Sequence, residues 1–355
     1  MRIIQIMPEF LFGGAEIMCE NLSNELKKMG HDVIIISLYD LRTPITERLL
    51  KSGIKVIYLN KKPGLDVSLI PKLRKLFIKI KPDVIHTHRY VMEYVVPASI
   101  GLKIKRIHTL HSVATKENTR FGRTINHAFF KINKVVPIAL SENVQETIVD
   151  EYKLKKEQIP IIYNGVDIRK ELQKKSYATK DLFRLIHIGR FALAKNHAML
   201  LEAVKHVKEK HNNLMLTLVG DGELKDEMYQ YAKVHNMLEY VNFAGTTNNV
   251  YKFLENADAF ILPSIYEGMP MTLIEAMGYG MPIIASNVGG IPNMIIDDYN
   301  GILTEPTVED ICESIEKIID GGEVLRQSYG KNAIISSSKF SSKKMAEEYL
   351  KIYAN

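Results

Sequence analysis

The chain has 355 residues, 46% of them apolar, which is enough for two ordinary cores. No Gly- or Pro-dominated tract and no fixed-period repeat is present, and Cys19 and Cys312 stand far apart without a CxxC; this argues against disorder, a solenoid and a metal-binding cysteine module, and for a reducing compartment. The net charge of +6 divides into +13 over residues 1–180, where 31 Lys or Arg meet 18 Asp or Glu, and −7 over residues 181–355, where 16 meet 23. A basic half beside an acidic half fits a protein that meets an anionic surface or partner with one half only, and drift in surface composition produces the same split.

MRIIQIMPEFLF is too short and too quickly polar for a signal peptide, and it reads as a first buried strand. No apolar run reaches the length of a membrane span. A helix is expected near residues 16–29. Then come the short apolar runs DVIIISL, IKVIYL, DVIHTH, KRIHTL and VVPIAL. After the polar stretch RKELQKKSYATKD the rhythm restarts with FRLIHIG, LMLTLVG, YVNFAG, AFILPS and MPIIAS. Strands alternating with helical patterns predict an α/β fold with parallel sheets. The expected organisation is a Rossmann-like domain over 1–167, a linker over 168–182 and a second Rossmann-like domain over 183–355. Sequence does not place the last helix, near residues 341–353. Two such sheets facing each other across a cleft would present ligand loops after their strands.

Several of those loops carry unusual residues. Gly13 and Gly14 precede the first helix, where a glycine pair serves either a tight turn or a close phosphate contact. His86 and His88 share a strand face, but no carboxylate–cysteine set completes a metal site, so structural hydrogen bonding is their default. His111 ends the next strand with Ser112 beside it. There it can donate to a developing negative oxygen or orient an acceptor hydroxyl. Gly189, Arg190 and Lys195 follow the strand that opens the second half. Two cations at one strand end suit a diphosphate better than a solvated basic turn. No DxD occurs anywhere, so no divalent-ion site for a nucleotide-sugar is indicated, and Arg190 and Lys195 could neutralise the diphosphate instead.

SIYEGMPMTLIEAMGYG, residues 264–280, sets one carboxylate in a loop and another in a helix. Gly268 and Pro270 punctuate the loop. Free N–H groups of the helix start, over Met269–Thr272 with Pro270 among them, would hold a phosphate. Glu267 can reach a polar ligand ahead of the helix. Glu275, about one turn inside, can accept two hydrogen bonds from vicinal ribose hydroxyls. The plainer alternative makes Glu267 a helix cap and Glu275 a surface residue. Leu273, Ile274, Ala276 and Met277 around Glu275 weigh against it. Gly289 and Gly290 form another close-approach loop.

With these residues in view the chain resembles the family 4 glycosyltransferases of the two-Rossmann-domain GT-B type. The resemblance rests on GGAE at 13–16, HTH at 86–88, TLH at 109–111, NGVD at 164–167, GR at 189–190 with Lys195, and GDG at 220–222. The 263–286 segment with its Glu267-x7-Glu275 spacing, and VGG at 288–290, complete it. It implies a retaining enzyme that moves a hexose or N-acetylhexosamine from a nucleotide-diphosphate sugar, UDP-sugar foremost, without cofactor or metal. It implies that Arg190 and Lys195 hold the diphosphate, Glu275 the ribose, and Glu267 the donor sugar's hydroxyls. Gly14 would offer a backbone donor to the phosphates, and His111 would stand beside the transferred sugar. GRFALAKNH lacks the glycine that often follows the lysine.

The acceptor is expected in the first half, as a glycan or a polyprenyl-diphosphate-linked saccharide of bacterial capsule, exopolysaccharide or lipopolysaccharide assembly. Two basic amphipathic stretches lie there, 71–81 and 120–134. Leu73, Leu76, Phe77 and Ile80 in the first, and Phe121, Ile125, Phe129 and Ile132 in the second, read as core. The bases around them could rest on an anionic bilayer, giving a cytoplasmic enzyme peripheral to the inner face of the plasma membrane. A nucleotide-sugar epimerase that hydrolyses its donor shares the two-domain plan but lacks this spacing of glutamates. A nucleic-acid-binding protein would exploit the +13 half, yet no aromatic-interleaved basic strand or recognition-helix motif supports it, and no nucleic-acid partner is expected.

Overall fold

The computed structural model describes every residue except Phe12, Asn133, Lys180, Asn248 and Asn355. Lys180 of the expected linker and Asn355 of the expected second domain therefore lie outside the described residues. The chain forms two units: Met1–Asp167 with Phe340–Asn355, and Ile168–Lys339.

The first unit is built on six parallel strands: β1 Arg2–Met7, β2 Asp32–Ser37, β3 Lys55–Tyr58, β4 Val84–His88, β5 Lys105–Thr109 and β6 Val136–Ile138, in the order β3-β2-β1-β4-β5-β6. Burial of the central strands on both faces explains their nearly unbroken apolar runs. One core joins Ile4, Ile6, Ile36 and Ile85 to Leu73 and Phe77 of helix Leu69–Ile80. A second joins Met92, Leu110, Phe130 and Tyr152.

The second unit repeats the plan with β7 Phe183–Ile188, β8 Leu214–Val219, β9 Val241–Gly245, β10 Ala259–Leu262, β11 Ile283–Ser286 and β12 Ile302–Thr304. They run parallel in the order β12-β11-β10-β7-β8-β9. In each sheet the first strand in sequence is central, with neighbours reached in opposite directions. The loops after β1 and β4, and after β7 and β10, diverge there and leave a crevice at the strands' carboxyl ends.

Three expectations change. Residues 340–355 group with the first unit, not with a second domain running to 355. Helix Ser342–Ala354 buries Met345, Tyr349 and Tyr353, one turn apart, against the first unit, beside helix Gly14–Lys28. Ser341 bridges Val166 in parallel, and Val166 N–H donates to Phe340 O at 3.0 Å. Residues 168–182 are also no free linker. Lys174 N–H donates to Tyr279 O (2.8 Å), Tyr177 O–H donates to Gly280 O (2.9 Å), and buried Arg326 donates to Tyr177 O. Finally, Phe121 is 75% exposed and Ile132 76%, while Ile125 and Phe129 are half-buried. In helix Arg120–Lys131 only Asn126 and Phe130 are fully buried. The spacing that read as a core stripe turns only partly to the core: Phe130 takes the inward position, Phe129 packs beside it, and Phe121 and Ile132 face out.

Removing the Tyr349 ring should cost about 3–5 kcal/mol, as for other large-to-small core truncations. In Tyr349→Ala, amide exchange should speed up in β1, β4 and β5 and stay unchanged in β7 and β8. Loss of protection in the second sheet instead would show that the helix supports the wrong unit.

Candidate functional site

In the second unit the loops after β7 and β10 meet at the switch point. Ile265 N–H donates to Ala194 O at 2.8 Å, locking the two loops together. The Lys195 ammonium is ion-paired with Glu267 Oε1, both side chains largely buried, and Ser264 Oγ donates to the same oxygen at 2.7 Å. Gly189 makes room for this lysine, since a Cβ there would stand 3.3 Å from Lys195 Cδ and 2.9 Å from His187 Nε2. Gly289 has φ +56°, and a Cβ on it would fall 1.8 Å from Glu267 O; Gly290 N–H donates to that same oxygen at 3.3 Å. The glycine pair is thus the backbone floor under Glu267. Arg190 stays 68% exposed and pairs with Glu223 at 3.1 Å, a partner that the sequence reading did not identify.

The helix after this loop runs Met271–Tyr279 with Pro270 as its N-cap and no side-chain cap. Pro270 has no N–H, so it offers none of the donors expected of the stretch Met269–Thr272. The first N–H bonded back is that of Ile274, to Pro270 O at 3.4 Å. Met271, Thr272 and Leu273 carry the helix's unmatched positive end. Glu267 does not cap it. Glu275 lies one turn in, half-buried between apolar neighbours that are wholly buried. Its carboxylate has no hydrogen-bond or ion-pair partner among the described residues. Burial pushes it up from 4.5 to about 7.

In the first unit the first turn of the helix after β1 and the loop after β4 carry a second charged pair. Gly13 is the N-cap of helix Gly14–Lys28 in an extended conformation without a side-chain cap, and Gly268 stands in the loop after β10. Buried Glu16 accepts from Arg89 Nη1 at 2.6 Å, and Arg89 sits at φ +57°. Burial raises the Glu16 carboxyl in spite of the guanidinium beside it. Glu117 accepts from His111 N–H at 3.2 Å and is pushed to about 7 by burial.

His86 and His88 are structural, bonded on both ring nitrogens. His111 meets His88, Nε2 to Nδ1 at 3.0 Å, and burial and nearby positive groups hold it down to about 3. Among the described residues no group of three or more His, Cys, Asp or Glu has the geometry of a metal centre. Sequence reasoning missed Glu16, Arg89, Glu117 and Ser264. Glu16 and Arg89 do have a signal: Glu16 closes the GGAE motif in the first turn of the first helix, and Arg89 directly follows HTH at the end of β4.

The profile for Glycosyl transferases group 1 matches residues 168–335, and that for Glycosyltransferase Family 4 matches residues 12–170. The UDP-Gal:alpha-D-GlcNAc-diphosphoundecaprenol alpha-1,3-galactosyltransferase of Escherichia coli is 28% identical over 72% of this chain and 70% of its own length. The N-acetylgalactosamine-N,N'-diacetylbacillosaminyl-diphospho-undecaprenol 4-alpha-N-acetylgalactosaminyltransferase of Campylobacter jejuni is 30% identical over 58% of this chain and 56% of its own. In fold, the chain is similar to Anabaena Alr3699/HepE in complex with UDP and glucose, with TM-score 0.84, 20% identity and full coverage of both chains.

The raised Glu275 carboxyl has a consequence for stability. Its folded value near 7 exceeds the ordinary 4.5, so the folded state holds the extra proton. That stabilisation is complete below pH 4.5 and is lost as pH rises through 7. Glu275→Gln should therefore raise the unfolding midpoint of the ligand-free protein at pH 8, leave it nearly unchanged at pH 4.5, and flatten the slope between. Glu117 keeps part of that slope. An equal shift at both pH values in denaturant melts would contradict a buried, unpaired carboxylate.

Proposed function

This chain belongs to the family 4 glycosyltransferases of the GT-B fold, and we propose that it transfers a hexose or N-acetylhexosamine, with retention, from a UDP-sugar to a lipid-linked saccharide. One observation carries this reading. The loops after β7 and β10 bring Lys195 and Glu267 into contact ahead of an uncapped helix start, with the unpartnered Glu275 carboxylate one turn inside. A nucleoside diphosphate suits each part: phosphate oxygens for the unmatched N–H groups of Met271, Thr272 and Leu273 and, shared with Glu267 and Glu223, for Lys195 and Arg190, and two ribose hydroxyls for Glu275.

Departure of the sugar builds charge on the diphosphate, and these groups oppose that charge without reorganising. The developing phosphate oxygen takes the acceptor's proton, so no general base is assigned to Glu267; it meets the donor sugar's hydroxyls. In the first unit Gly14 N–H is offered to phosphate, with Gly13 shaping the turn, and His111 to the sugar. On this reading the reaction needs no metal, because Lys195, Arg190 and the helix-start N–H groups supply the positive charge that neutralises the diphosphate. The acceptor class draws on the relatives that act on diphosphoundecaprenol-linked sugars.

Contact with an anionic membrane belongs to the same proposal. No helix among the described residues is long and apolar enough to cross a membrane. Phe121 and Ile132 are exposed beside Arg120, Lys131 and Lys134, all of them exposed. Arg123 is already held by Glu151. An apolar pair ringed by cations suits an anionic lipid surface at the cytoplasmic face of the membrane.

Two experiments test these readings. A panel of UDP-, GDP- and ADP-sugars with undecaprenyl-diphosphate saccharides should give product with a UDP-sugar, undiminished by EDTA. Full loss on chelation, restored by Mn²⁺ or Mg²⁺, would overturn the metal-free reading; product only with a soluble acceptor would overturn the lipid-linked one. The enzyme should sediment with vesicles of phosphatidylglycerol and not with phosphatidylcholine. Replacing Arg120, Lys131 and Lys134 by Gln should weaken that binding on the order of a hundredfold at low salt, about 1 kcal/mol per charge. Equal sedimentation with both lipids would remove the electrostatic basis.

A further inference from the structure

A single hydrogen-bonded chain crosses the first unit from helix Ser342–Ala354 to His111. Gln5, on β1, stands at its middle. Gln5 Nε2 donates to the Tyr353 hydroxyl oxygen at 3.4 Å, and that oxygen stands 2.7 Å from His86 Nδ1. His86 Nε2 faces Thr109 Oγ1 at 2.7 Å, and Thr109 in turn meets the Tyr349 hydroxyl at 2.7 Å. On the other side Gln5 Oε1 stands 2.8 Å from His88 Nε2, and His88 Nδ1 stands 3.0 Å from His111 Nε2. Gln5, His86, Thr109 and both tyrosines are buried, as is His88, so water does not offer substitute partners.

The amide of Gln5 gives this chain a direction. An amide oxygen can only accept, so His88 must carry its proton on Nε2. A neutral imidazole has one proton, which leaves His88 Nδ1 an acceptor. His111 must then donate to it from Nε2. Burial holds all three rings well below the ordinary histidine value, so each carries a single proton. The opposite polarity would require the Gln5 amide to turn over and every proton in the chain to move with it.

We infer that Gln5, oriented by Tyr353, is a positioning residue that fixes the tautomer of His111 through His88, so that His111 presents a bare Nδ1 lone pair to its ligand. Nδ1 has no partner among the described residues. It accepts from a hydroxyl and is unfit to donate to a phosphate oxygen. The inference rests on the proposed transfer reaction for its catalytic consequence, but the tautomer itself is independent of that reaction. It also gives the terminal helix a role in the chemistry: its tyrosine hydroxyls end the chain that sets the proton.

The test uses full-length enzyme labelled with ¹⁵N-histidine, with the His111 signals identified by their absence in His111→Ala. Long-range ¹H–¹⁵N correlations should show a pyrrole-like Nε2 and a pyridine-like Nδ1 for His111. Gln5→Leu should convert this to a mixture of tautomers, and so should Tyr353→Phe, which keeps the ring and its packing should the buried Leu variant fail to fold. With a UDP-sugar donor both variants should lose at least tenfold in kcat, with donor KM within about twofold; a wrong tautomer in a catalytic histidine can cost far more. A proton on Nδ1 in the wild type would overturn the inference, as would an unmixed tautomer in both variants. Undiminished kcat in His111→Ala, with the tautomers behaving as expected, would overturn the catalytic reading of His111 and leave the relay standing.

Discussion

The placing of every candidate residue follows from one constraint on parallel sheets. A strand and its parallel neighbour need a crossover, and in each unit the first strand gains neighbours on both sides by crossovers that leave in opposite directions. The backbone must part at that point. Side chains projected there come from the loops and first helical turns that follow the strands. Lys195 and Glu267 sit at the switch between β7 and β10, and Glu16 and Arg89 at the switch between β1 and β4. Sequence distances of 72 and 73 residues collapse to direct ion pairs because adjacent strands deliver both loops to one place.

The two switch points are furnished differently. The second unit gathers formal charge: two cations, a carboxylate held between Lys195 and Ser264, and a helix start whose N–H groups no side chain caps. The first unit gathers neutral imidazoles on the strands beside its ion pair. Burial in each case penalises the charged form. It raises Glu275 and Glu117 and lowers His86, His88 and His111. The polar chain from Tyr349 to His111 is tolerable in a buried sheet face because its members satisfy one another. Glu275 has no such company, which is the usual condition of a group whose partners arrive with a ligand.

Much of this was legible in the sequence, for reasons that differ by element. The strands of both sheets showed as apolar runs because parallel strands are buried on both faces. The Glu267–Glu275 spacing was legible because loop and helix are contiguous, so a local reading reaches both. Strand order was not legible, and with it the pairing of Arg89 with Glu16 stayed hidden. The docking of helix Ser342–Ala354 was also out of reach. Its Met345, Tyr349 and Tyr353 predict a buried stripe but not which surface covers it, and their partners Thr109 and His86 lie 240 and 267 residues away. Phe121 and Ile132 misled because helical spacing names a face without saying whether that face turns inward.

The charge division of the chain can now be set beside the site. The half with net charge −7 contains the cations proposed to hold a diphosphate. An acidic domain would repel that ligand at long range, so attraction has to be local and short-ranged, as it is at a helix start and two strand-end cations. Each cation is already engaged, Arg190 with Glu223 and Lys195 with Glu267. These two cations therefore carry little uncompensated charge, and an incoming anion must compete with or share those carboxylates. Competition of this kind weakens binding of any single phosphate. It favours a ligand that also brings hydroxyl donors to the carboxylates, as the proposed donor would, with its sugar for Glu267 and its ribose for Glu275. On the proposed reading, selectivity for a nucleotide-sugar over a bare phosphate would follow from pairing acids with bases at the same crevice, with no residue needing to recognise the whole molecule.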